Sequence, residues 1–135
     1  MEKLAFKIKI TVLWLFYAVA MAAAMVLAFM EPGVIEEIMA GEMGGMALST
    51  AVTAFFALFW LIPLIMAFLT LILTGSAIRW ANIVLGIIFA VFDLVDVIGH
   101  LSRGEIGGHM LMAVSLIVVP AVIAWYAWKW PVQEA

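Results

Sequence analysis

The chain has no cysteine, so disulfides, thiolate metal sites and thiol redox chemistry are all excluded. It is also poor in charge. Only 11% of its 135 residues are Asp, Glu, Lys or Arg, against about a quarter in a soluble domain. Just 2 histidines and 4 prolines occur, and no phosphate-cradling glycine loop, dinucleotide fingerprint or nucleophile–base set is present. The net charge of −3 argues against a nucleic-acid partner. What remains is apolar: 69% of the residues are hydrophobic and the mean hydropathy is +1.29. A soluble fold of this size has too little interior to hide that much apolar side chain, so lipid must act as part of the solvent.

Four apolar runs are long enough to span a bilayer, at 8–30, 48–73, 78–101 and 109–130. Each fits a hydrocarbon core about 30 Å thick at about 1.5 Å per residue. Backbone groups in lipid must be satisfied within their own segment, and the runs lack the alternation of barrel strands, so helices are expected. The basic start and the small residues of AVAMAAA resemble a signal peptide. The apolar run continues well beyond them, and the segment is read as a span. The sequence therefore predicts an all-α membrane protein: one four-helix transmembrane domain over 1–135, with a short amphipathic outer-surface helix between the first two spans. That surface helix lies in EPGVIEEIMAGEMGG (31–45), where Val34, Ile35, Ile38 and Met39 share one face opposite Glu36 and Glu37. GEMGG then ends it.

With the N-terminus inside, Lys3, Lys7, Lys9, Arg79 and Lys129 fall on one side and Arg103 alone on the other. The positive-inside rule then places both termini in the cytoplasm and the chain in the cytoplasmic membrane. Trp80 and WYAWKW (125–130) fit an aromatic belt at the inner boundary. TGSAIRW is short enough to make the second and third spans a tight hairpin. Pro63 and Pro120 should kink the second and fourth spans, either for packing or as hinges. GEMGGM (41–46) and GEIGGH (104–109) resemble each other, as a duplicated helical hairpin would require.

The third span carries the polar residues that matter most, in FDLVDVIGH (92–100). Asn82, Gly86, Phe89, Asp93, Asp96 and His100 all fall within about 40° of one line along the helix, at about 100° per residue. A stripe of acids is costly in lipid, by about 2.5–3.5 kcal/mol per charge on insertion scales, so it must face protein, water or a partner chain. Asp93 and Asp96, one turn apart, are expected to share a proton and act as a relay, or to accept hydrogen bonds that fix packing. His100 and His109 should meet at the outer surface beneath the acidic loop of Glu36, Glu37 and Glu42, forming an outward-facing Asp/His site. The two histidines are candidate metal ligands, although no HxxxH or HExxH spacing supports one. No cofactor is indicated.

EPGVIEEIMAG (31–41), RWANIVLGIIF (79–89) and WYAWKWP (125–131) resemble a family of small four-helix integral membrane proteins of bacteria and archaea, catalogued as a domain of unknown function. The resemblance runs through most of the chain in order. It implies the four-span topology and brings no mechanism; FDLVDVIGH and GGHM are not among the matching pieces. Three functions stay open. The chain is a proton, cation or small-solute carrier, an accessory or scaffold subunit whose polar stripe meets another membrane protein, or a metal-dependent membrane enzyme. Its expected partners are the lipid bilayer and a second copy or a larger membrane complex.

Overall fold

A computed structural model describes residues 2–131. Its frame is α1 (Glu2–Phe29), α3 (Thr50–Ile72), α4 (Ser76–Ser102) and α5 (His109–Lys129), with α2 (Val34–Met39) and the strands β1 (Glu42–Met43) and β2 (Met46–Ala47) in the connection after α1. All four long helices are long and apolar enough to cross a membrane. Their outward residues include Val19, Phe68, Val95 and Trp128, all more than half exposed. In water such a continuous apolar exterior would aggregate; in lipid it is the solvated face.

Helix α1 packs against α3 and α5, and α4 packs along α5. The sequence anticipated the short link between α3 and α4, but those two helices meet over the least length of the adjacent pairs. The reason lies in side-chain size. Phe59 stacks on Phe89 and on Phe92, each with centroids 4.7 Å apart, and these rings hold the two backbones apart. The opposite situation holds between α4 and α5. Gly86 lies so close to α5 that a Cβ built on it would sit 2.7 Å from the Pro120 carbonyl oxygen and 3.0 Å from the Ala124 nitrogen. Both are backbone atoms and cannot swing away. Gly86→Ala is therefore expected to destabilise the protein by about 1–3 kcal/mol through overpacking, read as a lower midpoint in detergent unfolding. Both Pro63 and Pro120 are fully buried, and α3 and α5 run on through them.

The interior is apolar with a few polar side chains set into it. Ile10, Trp14, Tyr17, Phe89 and Ile123 are buried, but so are Thr70, Asn82 and Asp93. The two ends of the bundle differ in charge. At one end, Lys7 Nζ reaches the Leu71 carbonyl at 3.4 Å, and Arg79 donates to the Ala127 and Trp128 carbonyls at 3.0 and 2.9 Å. These are carbonyls at the C-terminal ends of α3 and α5, where a cation is favourable. Trp80 and Trp128 meet edge to face there, with the Arg79 guanidinium over both rings.

At the other end lies the acidic connection. None of the α2 residues is buried. Val34 and Ile38 are half-buried, whereas Ile35 and Met39 are exposed. The GEMGG segment does more than end the helix. It forms a two-residue hairpin in which Gly44 and Gly45 have φ of 58° and 79°, the two positive angles a type I′ turn needs. Glu37 steadies it by accepting from the Gly45 N–H at 2.9 Å. GEIGGH forms no strand; it leads directly from α4 into α5, so the likeness of the two loops does not extend to their shape.

Candidate functional site

Two polar clusters lie on the buried face of α4. The first is centred on Asn82, which is fully buried. Its Oδ1 accepts from Trp14 Nε1 at 2.7 Å, and Thr70 Oγ1 lies 3.2 Å from the same oxygen. Its Nδ2 donates to the Ile78 carbonyl at 2.9 Å and lies 3.0 Å from Thr70 Oγ1. One amide thus ties together α1, α3 and α4. The second cluster is Asp93, which keeps 8% of its surface accessible and accepts from the Tyr17 hydroxyl at 2.6 Å. A pair this short is at the strong end for O–H donors to carboxylates.

Phe89 lies between these clusters. Its ring meets Trp14 edge-on at 5.8 Å and Tyr17 at 5.4 Å. Polar side chains thus follow one another along the bundle interior, from Lys7 through Asn82 and Thr70 to Tyr17 and Asp93, with one aromatic ring as the break.

The remaining predicted residues gather above Asp93 at the acidic end. Asp96 does not share the interior with Asp93; its side chain is 57% exposed. Three residues advance a helix by 300°, and the packing of α1 and α5 covers only the Asp93 side of the stripe. His100 Nδ1 donates to the Asp96 carbonyl at 2.9 Å, and its Nε2 lies 3.7 Å from Glu105 Oε2. The imidazoles of His100 and His109 do meet, edge to face, with centroids 5.5 Å apart. His109 Nδ1 is 3.2 Å from Glu31 Oε1, a contact made across Gly107, where a side chain would collide with the Glu31 carboxylate. Arg103 donates to Glu105 at 3.1 Å, and this bond holds the Glu105 carboxyl below its ordinary range, so Glu105 stays an anion facing the two histidines.

As candidate metal ligands the two histidines turn toward separate carboxylates. Among the described residues no three His, Asp or Glu side chains form a set that could hold a metal ion. Glu36 and Glu42 are exposed and Glu37 is occupied with the hairpin, so the acid that reaches the histidines is Glu31. Sequence reasoning missed Glu31, Trp14, Tyr17 and Thr70. The signal for the aromatic pair was position. Trp and Tyr favour the membrane–water boundary, and Trp14 and Tyr17 stand in the middle of their span. Thr70, an ordinary residue near a helix end, carried no such signal.

A model of a family of unknown function matches residues 4–134. No curated protein and no solved structure matches the chain.

Proposed function

We propose that this chain, which belongs to the family of unknown function DUF6326, is a small proton carrier in which Asp93 takes up and releases the proton. The observation that carries this reading is the Asp93–Tyr17 pair: an acid inside a membrane bundle, held by a neutral hydroxyl. Intramembrane acids of this kind mark ion and proton routes. A metal cation such as calcium needs six to eight oxygen ligands, or an octahedral set for magnesium. Asp93 has one hydroxyl partner among the described residues, which suits a proton and not a caged cation. Asp96, His100 and His109 at the acidic end supply titratable groups through which protons reach the pair, beside the Glu105 anion. Phe89 is the barrier below it, and Asn82 and Thr70 continue the polar line toward Lys7.

The accessory-subunit reading relied on a stripe that seeks a partner chain. Asn82 and Asp93 are engaged by Trp14, Thr70 and Tyr17 of the same chain, which supports the carrier reading in preference.

The test is flux in reconstituted vesicles. With the membrane potential clamped and a pH step imposed, the wild-type protein should relax the gradient faster than protein-free vesicles do, and Asp93→Asn should relax at the protein-free rate. Equal relaxation by wild type and Asp93→Asn would remove the carrier reading.

The same proposal sets an orientation. The Lys- and Arg-bearing end lies in the cytoplasm, so Asp93 is served from outside. Glu36→Cys should react with a membrane-impermeant thiol reagent applied to intact cells, and Thr74→Cys should react only after permeabilisation. The reverse pattern would invert the direction in which protons reach Asp93.

A further inference from the structure

The basic end holds a groove that proton handling does not use. It lies between α1 and α5, has a volume of about 300 Å³, and is lined by Ile8, Lys9, Val12, Leu13 and Tyr126. Its walls are aliphatic along α1 and aromatic on α5. Its one charged lining residue, Lys9, is exposed, and its ammonium stands 5.7 Å from the Phe6 ring centroid and 5.5 Å from that of Tyr126. Among the described residues no carboxylate pairs with it. Lys7 and Arg79 at the same end differ from it in being spent on helix carbonyls.

Position settles what kind of molecule complements such a groove. Lys9 is in the second turn of α1, and Val12 and Leu13 lie one turn deeper into the span. On the facing helix Tyr126 is in the last turn of α5, beside Trp125 and Lys129, whose ammonium lies 4.1 Å from the Trp125 ring centroid. The cation is therefore at headgroup depth, and the aliphatic wall below it is at acyl-chain depth. Cationic grooves between membrane helices at a basic face accept anionic lipid headgroups. A neutral zwitterionic lipid would bring its own cation toward Lys9 and gain less.

We infer that the α1/α5 groove is a binding site for an anionic phospholipid, with the phosphodiester on Lys9 and one acyl chain along Ile8, Val12 and Leu13. The site is independent of Asp93 and stands or falls separately from the carrier reading.

The test uses the full chain in nanodiscs of dioleoylphosphatidylcholine containing a minor fraction of dioleoylphosphatidylglycerol, with retained lipid identified by native mass spectrometry. The wild type should retain phosphatidylglycerol in preference. Lys9→Gln, a change at an exposed position, should lower that preference about fivefold, the effect of one cation near an anionic headgroup. Val12→Trp keeps the charge and fills the groove, and should lower it as well. Lys129→Gln, which changes the charge of the same end outside the groove, should leave it unchanged. Equal retention by wild type and Lys9→Gln would overturn the site. So would an equal loss in Lys129→Gln, or an undiminished preference in Val12→Trp, since either result would reduce the effect to the general charge of that end.

Discussion

Asn82→Leu is expected to lower stability by about 2–4 kcal/mol, the largest loss from any single polar substitution in this chain. The leucine matches the size of the amide and is at home in lipid, so the transfer of the side chain itself favours the variant. The loss comes from what is left behind. Trp14 Nε1 and the Thr70 hydroxyl are buried among α1, α3 and α4, and both direct their hydrogen bonds at Asn82. Interhelical hydrogen bonds in membranes are individually modest, about 0.6 kcal/mol on average. Here one residue serves two neighbours, and neither has water within reach to replace it. Trp14→Phe and Thr70→Val each remove one donor. Placed on the Asn82→Leu background, each should cost less than in the wild type, because the partner it served is already gone. Unfolding midpoints of the wild type, the three single variants and the two double variants in mixed detergent measure this directly. Additive losses would mean that the three side chains do not act as one network.

The second large effect separates packing from proton handling at Asp93. Asp93→Asn keeps an oxygen that accepts from the Tyr17 hydroxyl, so its unfolding midpoint should stay near that of the wild type. Asp93→Leu leaves the hydroxyl without its acceptor inside the bundle and should cost about 1–2 kcal/mol. Proton flux should divide the variants differently and fall to background in both, since neither side chain carries an ionisable group. Tyr17→Phe keeps the carboxyl and removes only its donor. Loss of a hydrogen bond worth about 1 kcal/mol should change the flux rate about fivefold without abolishing it. An acid retained for packing alone would give another pattern: Asp93→Leu unstable, Asp93→Asn and Tyr17→Phe silent in flux.

The sequence shows the four spans plainly, because each is a long apolar run and the bilayer leaves the backbone no alternative to a helix. It also shows the polar stripe, since helical periodicity converts spacing into a face. What it could not show is how much of that stripe the neighbouring helices cover. Asn82 and Asp93 fall under α1, and Asp96 does not, although all three lie close to one line on the wheel. The pair that formed is Asp93 with Tyr17 on another helix, 76 positions away, and not Asp93 with the acid one turn above it. Pairings of that kind depend on which helices become neighbours, and helix adjacency is not written in any local pattern. The same limit applies to Glu31. It was visible at the end of the first span, and only the approach of the Gly107 backbone brings His109 to it. The hairpin at Gly44 and Gly45, by contrast, was legible in principle: two adjacent glycines between short extended pairs are a strong turn signal.

In the proposed carrier, Asp93 gains and loses a proton inside the membrane. Infrared difference spectroscopy of the protein in bilayers, recorded while the pH is stepped, observes that event at the carboxyl itself. A protonated-carboxyl band should appear and disappear with pH, shift in Tyr17→Phe as the hydrogen bond is lost, and be absent from Asp93→Asn. Difference spectra that are the same for wild type and Asp93→Asn would contradict the carrier reading.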